Sequence, residues 1–402
     1  MPDARPAQSM QFLPRTRPVV PPIHHSVTYF LDDTAYADIQ NGGLDEVWYG
    51  RFRNPTVDVA AEEVCGLEAS EAALMTSSGM GAIATTLLTL LRRGDRLVAA
   101  RQVYGDTRDL LVRDLPSWGF DVVQVDALSL DAWRAAVADG GAGVLYVETL
   151  ANPQLDLADI PAIASIAHDV GALLVVDNTF ATPYNVQPRL LGADVVVHSA
   201  TKFLNGHSDA IAGVVAADAD VVREVQRRVI TLGTCLDPHA AYLVWRGLQT
   251  FGLRIARSNA TALRLAAALA DREDVVSVRH PGLPGYERAG EAARVLRRNE
   301  DGTLRTGGMV TFTVEGGDER ALAVMRELQV ACEATSLGGV ETLVSTPFNS
   351  SHFSLSAAER VAARIDDGMI RVSCGIEPAE LLIGDFLSAL DRTRNVHLPP
   401  AS

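Results

Sequence analysis

The chain has 402 residues, of which 48% are hydrophobic, a composition that supports one large domain together with a smaller one. Its 50 acidic residues outnumber its 35 basic residues to give a net charge of −15, and no stretch concentrates the basic residues, so we expect neither nucleic acid nor a membrane surface as a partner. Segment 1–22 lacks the apolar run of a signal peptide and no stretch approaches the roughly 18 apolar residues of a membrane span, which predicts a cytoplasmic protein.

The first 55 residues are rich in Pro, Asp and Gly and show little periodicity, which predicts an extended N-terminal arm (1–55) that packs on something other than its own core. From residue 56, short apolar runs alternate with helical segments, which predicts a mostly parallel sheet covered by helices. The predicted strands of this large domain (56–252) are Ala72–Met75, Arg96–Ala100, Asp121–Val125, Val144–Glu148, Ala172–Val176, Asp194–Val197 and Ile211–Val215. Ligands of such sheets bind at the carboxyl ends of the strands.

A long helix from Pro238 to about Ala270 is predicted to link this domain to the remainder of the chain. The remainder (253–402) is predicted as a smaller α+β domain. Its predicted strands are Gly308–Val314 and Met369–Ser373, and its predicted helices are Asp318–Leu328 and Pro378–Arg392.

The four cysteines, Cys65, Cys235, Cys332 and Cys374, are too far apart for a Cys-x-x-Cys motif. We expect them to be reduced and buried, as small apolar residues. The histidines show no His-x-x-x-His spacing, so we expect no metal site.

Lysine usage points directly to chemistry, because Lys202 is the only lysine in the chain and every other basic residue is arginine. Arginine can supply a positive charge anywhere, but it stays protonated and cannot become a nucleophilic amine. A single lysine that resists this replacement is therefore a candidate nucleophile, although its survival by chance is the alternative.

Two further segments carry polar groups to the ligand edge of the predicted sheet. The turn at Gly79 and Gly81 opens an apolar helix and could bind a nucleotide, could bind another phosphate, or could be a purely structural turn. Asp177 ends a buried strand, where a carboxylate either needs a cationic partner or caps a local turn. Together with Ser199, Thr201 and Lys202, these groups suit one ligand, the phosphate-bearing aldehyde pyridoxal phosphate (PLP), bound to the lysine as a Schiff base.

The sequence from about Pro21 to Leu390 resembles the Cys/Met-metabolism family of PLP-dependent enzymes. That family has the fold type I (aspartate-aminotransferase-like) architecture, so the resemblance implies an α/β fold with a seven-stranded, mostly parallel sheet and a smaller C-terminal domain. The resemblance rests on Tyr49-Gly50-Arg51-Phe52-Arg53-Asn54-Pro55, Ser77-Ser78-Gly79-Met80, Tyr104-Gly105, Glu148-Thr149-Leu150-Ala151-Asn152-Pro153, Asp177-Asn178-Thr179, Ser199-Ala200-Thr201-Lys202, Ser336-Leu337-Gly338-Gly339 and Arg371-Val372-Ser373.

The resemblance also implies a role for each matching residue. Lys202 would be the Schiff-base lysine and proton carrier, Asp177 would pair with the pyridinium, and Tyr104 would stack on the cofactor ring. The phosphate and the remainder of the cofactor would be held by Gly79, Met80, Thr179, Ser199 and Thr201, and by Tyr49 and Arg51 reaching from a neighbouring subunit. The active unit would then be a homodimer, usually paired into a homotetramer. Arg371 would bind the substrate carboxylate, assisted by Ser336 and Asn152; a solvent-facing arginine is the alternative for this position.

The implied reaction is γ-elimination from a sulfur amino acid. Lys202 would remove the Cα proton, and Tyr104, with a pKa lowered by nearby cations, would donate a proton to the leaving sulfur. Trp48 and Thr335 stand where members that handle cystathionine resemble one another in carrying acidic residues, so an uncharged thioether suits this pocket better. We therefore expect methionine as the substrate.

Several alternatives remain open at this stage. Asp106 differs from the cysteine that methionine γ-lyases carry at this position, so an unusual thioether or an activated homoserine ester is an alternative substrate. Cystathionine γ-lyase is an alternative activity. A γ-replacement enzyme, either a cystathionine γ-synthase or an O-acylhomoserine sulfhydrylase, would share the same motifs. Outside the family, the alternatives are a nicotinamide-dependent dehydrogenase built on the Gly79 turn and a non-catalytic binding protein.

Overall fold

The structure is a computed structural model that describes residues 18–138, 140–350, 360 and 364–394. The predicted arm is therefore seen from residue 18, and its residues 1–17 lie outside the described part. Parts of the predicted C-terminal domain, 351–359, 361–363 and 395–402, also lie outside it. No helix among the described residues is long and apolar enough to cross a membrane.

A large sheet organises the first half of the molecule. Among the described residues its seven strands lie in the order β1-β7-β6-β5-β4-β2-β3. All neighbouring pairs are parallel except those made by β7, which runs antiparallel to β1 and β6. The strands are β1 (Ala72–Thr76), β2 (Arg96–Ala100), β3 (Asp121–Val125), β4 (Val144–Glu148), β5 (Leu173–Asp177), β6 (Val195–Ser199) and β7 (Gly213–Ala217). Each overlaps a predicted strand, so the mostly parallel, seven-stranded sheet is confirmed.

A second sheet lies toward the C-terminus, with the order β10-β11-β12-β9-β8. Its pairs are antiparallel apart from β10 and β11. The strands are β8 (Val275–Arg279), β9 (Met309–Val314), β10 (Cys332–Glu333), β11 (Leu343–Ser345) and β12 (Met369–Ser373). Only β9 and β12 were predicted; β10 and β11 are too short to show a two-residue alternation, and β8 is half-exposed.

Helices connect and cover the strands. In chain order they are α1 (Asp33–Gln40), α2 (Pro55–Glu68), α3 (Gly79–Leu90), α4 (Gly105–Asp109, continued by a π-helical turn at Leu110–Asp114 and a last turn at Leu115–Ser117), α5 (Leu130–Ala138), α6 (Ile160–Asp169), α7 (Thr182–Asn185), α8 (Ala219–Leu232), α9 (Pro238–Leu248), α10 (Phe251–Ala270), α11 (Ala289–Val295), α12 (Gly317–Glu327) and α13 (Ala379–Arg392), with 3₁₀ turns at Pro188–Leu191 and Pro347–Asn349.

The N-terminal arm is not entirely extended as predicted. It contains α1, which begins where the Asp32 side chain accepts a hydrogen bond from the Ala35 amide. The predicted long helix from Pro238 to Ala270 is also divided, because Gln249 and Thr250 separate α9 from α10. The amides of these two residues donate hydrogen bonds to carbonyls in the last turn of α9 and so cap the helix.

Each sheet has its own hydrophobic core. The larger core includes the fully buried Leu97, Leu145 and Val196, and the smaller includes Val310 and Phe312. Helix α10 packs on β8 and β9 of the second sheet. It thereby joins the two halves of the molecule.

The cysteine prediction is partly wrong. All four cysteines are free, but only Cys374 is buried; Cys65 and Cys235 are half-buried, and Cys332 is exposed. Cys332 lies on β10, a two-residue strand that is exposed along its whole length, so it has no core against which to pack.

Candidate active site

A cavity of about 600 Å³ opens at the carboxyl ends of β4, β5 and β6, where the sequence predicts a ligand site. The second sheet and its loops close the cavity from the other side. Of the residues predicted for the site, those that line the cavity are Gly79, Met80, Tyr104, Asn152, Asp177, Thr179, Ser199, Thr201, Lys202, Thr335, Ser336 and Arg371. They come from seven separate stretches of the chain, so the fold brings together residues that are distant in the sequence.

The start of α3 forms one wall of the cavity. The Ser78 Oγ accepts a hydrogen bond from the Gly81 amide at 2.9 Å and so caps the helix. Gly79 lies against the end of β6, since a Cβ at this position would be 2.7 Å from the Cβ of Ser199. Glycine is therefore required by close packing, and the same packing leaves Ser199 beside the helix N-terminus. Amides at a helix start together with a neighbouring hydroxyl suit a phosphate group.

Asp177 lies at the end of β5, where only 8% of the residue is exposed. One carboxylate oxygen accepts a hydrogen bond from the Thr179 amide at 2.9 Å, and the other accepts one from the Tyr146 hydroxyl at 3.4 Å. Burial raises the pKa of this carboxyl above its usual value. Asp177 thus stabilises the local turn, as the alternative interpretation expected. Its burial at the cavity wall also suits a cationic ring nitrogen, which would favour the ionised form.

Glu148 was not predicted as a site residue, although it belongs to one of the quoted motifs. Its side chain lines the cavity and accepts hydrogen bonds from the amides of Tyr104, at 2.6 Å, and Asn152, at 3.4 Å. Burial raises its pKa, with Asp177 on the neighbouring strand as the second cause. The sequence does carry a signal for this residue, because Glu148 ends β4 just as Asp177 ends β5.

Lys202 lies in the turn that follows β6. Its Nζ donates a hydrogen bond to the Ser336 Oγ at 2.8 Å, which links the two halves of the cavity. Burial, followed by the positive charge of Arg371, lowers the pKa of the Lys202 ammonium from 10.5 to about 8. About half of this amine is therefore neutral at pH 8, and the neutral form is what a nucleophile or proton acceptor requires.

Arg371 on β12 is 5% exposed, so the solvent-facing alternative for this residue is wrong. Its guanidinium donates to the Asn152 Oδ1 at 3.1 Å and to the Ser336 carbonyl at 3.0 Å. Burial lowers its pKa to about 10. Both of these acceptors are uncharged oxygens. A buried cation of this kind at a cavity wall suits the carboxylate of an amino acid.

Tyr104 differs electrostatically from the prediction. Its hydroxyl donates a hydrogen bond to the Asp106 carboxylate at 2.8 Å. Burial, followed by Asp106, raises the pKa of Tyr104 to about 12, and Arg371 lowers it only by a smaller amount. The prediction of a lowered pKa is therefore wrong, because it considered the nearby cations but neither the burial of Tyr104 nor the carboxylate of Asp106. A tyrosine with this pKa is protonated at neutral pH and can donate a proton.

Trp48, Tyr49 and Arg51 do not line the cavity of their own chain. The Trp48 indole donates to the Gly43 carbonyl at 3.1 Å and its ring lies 4.3 Å from that of Phe52. The Arg51 guanidinium donates to the Ile230 carbonyl at 2.8 Å. Their predicted contribution to a neighbouring subunit stays a prediction.

Comparison with known proteins agrees with this geometry. A profile of the Cys/Met metabolism PLP-dependent enzymes matches residues 7–391. An L-methionine gamma-lyase of Fusobacterium nucleatum subsp. polymorphum is 38% identical over 380 residues, which cover 92% of this chain and 93% of the relative. The L-methionine gamma-lyase of Pseudomonas putida is 36% identical over 375 residues, which cover 92% of each chain. The crystal structure of cystathionine gamma synthase from Xanthomonas oryzae pv. oryzae in complex with cystathionine superposes with a TM-score of 0.86 at 35% identity, and the match covers 94% of each chain.

These findings decide between the classes that the sequence left open. The fold is that of PLP-dependent transferases of fold type I, and a nicotinamide-dependent dehydrogenase and a non-catalytic binding protein are both set aside. The cofactor is pyridoxal 5′-phosphate. The chain belongs to the Cys/Met metabolism family of PLP-dependent enzymes.

Proposed function

We propose that this enzyme is a carbon–sulfur lyase that converts L-methionine and water into methanethiol, 2-oxobutyrate and ammonia. The observation that carries the proposal is that Lys202 and Arg371 line the same cavity. The lysine supplies a half-buried amine with a pKa of about 8, and the arginine supplies a buried cation for a carboxylate. The two similar methionine gamma-lyases support the choice of substrate.

The residues present fit the cofactor. The cradle at Gly79, which a Cβ would fill, and the hydroxyls of Ser199 and Thr201 would hold its phosphate. Asp177 would face its ring nitrogen, and Lys202 would bind its aldehyde carbon. Met80, Thr179 and the ring of Tyr104 would complete the cofactor site. When bound, PLP supplies an electron sink that makes the Cα proton of an amino acid acidic.

The protein's own residues then carry out binding and proton transfer. Arg371, fixed by Asn152 and the Ser336 carbonyl, binds the substrate carboxylate and orients Cα. The neutral amine of Lys202 accepts the Cα proton, and the Ser336 hydroxyl is the hydrogen-bond partner that orients the free amine in the cavity. Tyr104 keeps its proton at neutral pH and donates it to the departing thiolate sulfur.

The substrate preference rests on the residues around the distal end of the cavity. Thr335 lines the cavity without a charge, and the aliphatic side chains of Ile83 and Leu337 also contribute to its wall. An uncharged thioether loses little on entering such a wall, whereas a second ammonium and carboxylate would need partners. Trp48 would add an apolar surface from the neighbouring subunit.

The active unit in this proposal is a homodimer, with a homotetramer as the full assembly and the cytoplasm as its location. Arg51 and Tyr49 of one subunit would contact the phosphate bound by the other, which is supported by their distance from their own chain's cavity. Complementation tests this arrangement. Arg51→Met and Lys202→Ala would each be inactive alone, but co-expressed chains would regain about a quarter of the parent activity, because one site of each mixed dimer is intact. No recovery would contradict the shared site.

A γ-replacement activity is the second candidate, favoured by the similarity to the Xanthomonas cystathionine gamma synthase. Product analysis separates the two. The loaded enzyme is incubated with L-methionine, L-cystathionine or O-acetylhomoserine, with and without an added thiol, and 2-oxobutyrate, ammonia and thiol are measured. We expect methanethiol and 2-oxobutyrate in equal amounts from methionine, and none with Lys202→Ala. Consumption of the ester only when a thiol is present, without ammonia, would make the enzyme a synthase.

A further inference from the structure

Arg254, in the first turn of α10, is a buried cation that neither the family motifs nor the proposed mechanism uses. It is 8% exposed, and burial lowers its pKa to about 10. Its guanidinium donates to the carbonyls of Phe203 at 3.0 Å, Leu204 at 3.2 Å and Gly247 at 2.8 Å, and its Nε donates to the Thr250 Oγ1 at 3.2 Å. These acceptors are all uncharged, and two of them belong to the residues that directly follow Lys202.

The turn that carries Lys202 does not satisfy these two carbonyls itself. Its own hydrogen bonds use the carbonyls of Ser199, Ala200 and Lys202, which accept from the amides of Lys202, Asn205 and Gly206 respectively. The next two residues, Phe203 and Leu204, are 3% and 2% exposed. A buried carbonyl without a hydrogen-bond donor is costly, and the Arg254 guanidinium supplies the donors that the turn itself does not provide.

The surroundings hold the turn against Arg254 with little free space. Gly206 has φ of +70°, and a Cβ there would overlap the Arg254 guanidinium. A Cβ on Gly247 would overlap the Asn205 carbonyl, and one on Gly338 would overlap the Lys202–Phe203 peptide. Gly338 follows Ser336, the partner of the lysine amine, by two residues. The turn is therefore fixed from both halves of the cavity.

We propose that Arg254 is a positioning residue for Lys202: it holds the turn after the lysine so that the amine stays in the cavity, hydrogen-bonded to Ser336. The proposal rests on the proposed role of Lys202 as the proton acceptor. Helix α10 continues from Arg254 to β8 and β9, so this guanidinium also fastens the lysine turn to the element that joins the two sheets.

The test uses the fact that Lys202 is the only lysine in the chain. In the cofactor-free protein, acylation of the ε-amine measured by peptide mass spectrometry reports on this residue alone, and its pH dependence gives the pKa directly. The variant is Arg254→Gln, which removes the charge and most of the donors without adding an amine. The control is Arg320→Gln, because Arg320 is 4% exposed and also donates to backbone carbonyls, but it lies on α12 beside the second sheet and is ion-paired with Asp274.

In the parent we expect a labelling midpoint at about pH 8. In Arg254→Gln the labelling midpoint should move up toward pH 10.5. In the PLP-loaded enzyme the same variant should lower kcat by about 100-fold and change KM by less than about threefold, because a displaced amine affects proton transfer more than binding. Arg320→Gln should lose thermal stability but keep the midpoint and kcat. Methylguanidine should restore part of kcat to Arg254→Ala.

An unchanged midpoint and kcat in Arg254→Gln, with a loss of stability like that of Arg320→Gln, would overturn the proposal. If Arg254→Gln does not fold, Thr250→Val keeps the guanidinium and removes one of its acceptors. We expect a smaller upward shift of the midpoint there, and no shift would count against the proposal. Because labelling needs neither substrate nor cofactor, it stays decisive even if methionine is not the substrate.

Discussion

Burial of Lys202 should lower the stability of the cofactor-free protein, so that replacing this lysine with methionine makes the fold more stable. The folded-state pKa of about 8 lies below the ordinary value of 10.5. Below pH 8 the lysine is charged in both the folded and unfolded states, and the folded state bears the full cost of the buried charge. Between about pH 8 and 10.5 the unfolded chain binds more protons, so the free energy of unfolding rises with pH and the cost disappears.

The magnitude follows from the shift in pKa. A difference of 2.5 pH units between 10.5 and about 8 corresponds to about 3 kcal/mol at most. The hydrogen bond from the Lys202 Nζ to Ser336 offsets about 1 kcal/mol of this, and it is lost in Lys202→Met. We therefore expect the variant to be more stable than the parent by about 2 kcal/mol at pH 7, with the advantage lost near pH 10.5.

Urea unfolding of the cofactor-free proteins at pH 7 and pH 10.5 measures this difference. Other titrating groups are shared by both proteins, so their contributions cancel in the comparison. Ser336→Ala is the control, since it removes the hydrogen-bond acceptor and leaves the buried amine. It should be less stable than the parent at pH 7. If Lys202→Met is instead less stable than the parent at both pH values, the amine is not destabilised by burial and the reasoning fails.

Three further predictions concern other residues of the cavity. Asp106→Asn should lower the pKa of Tyr104 below about 12 but leave it above 10, because burial is the larger cause; ultraviolet titration of the phenolate, with Tyr104→Phe as the blank, measures this. Arg371→Lys should raise KM for the amino acid by at least about tenfold, because a single ammonium cannot make the bidentate contact; steady-state kinetics with Arg320→Lys as the control check it. Gly79→Ala should weaken cofactor binding by at least about tenfold, because its Cβ would lie 2.7 Å from that of Ser199. Fluorescence titration of the cofactor-free protein with PLP measures this, and an unchanged affinity would contradict it.

The sequence predicts most of the large sheet because its inner strands are buried on both faces. Every residue of β4 is buried, so a short apolar run is the whole signal that a strand of this kind needs. Helix α1 and strand β10 give weaker signals because they are short and largely exposed, and β11 is buried but only three residues long. Their positions depend on capping and on pairing partners distant in the chain.

The sequence also predicts most of the side chains that meet in the cavity, but not their pKa values or the contacts that hold them in place. The pKa of Tyr104 depends on the direction in which Asp106 points and on how deeply the ring is buried. The role of Arg254 depends on contacts about 50 residues away in the chain, at Phe203 and Leu204. Trp48 does not reach the cavity of its own chain. Residue types alone cannot report such long-range geometry.

The residues that would bind the cofactor and those that would bind the substrate come from two halves of the molecule, each with its own hydrophobic core. Asp177 ends a strand of the first sheet and Lys202 follows one, whereas Arg371 lies on β12 of the second sheet and Thr335 lies in the loop between β10 and β11. Substitutions in the second half can therefore alter what the cavity accepts without replacing Asp177 or Lys202, provided that Ser336 and Arg371 keep their places beside the lysine. A fold divided in this way can acquire new substrates in small steps. Similar proteins that bear the names of a lyase and of a synthase are the outcome expected of such a division.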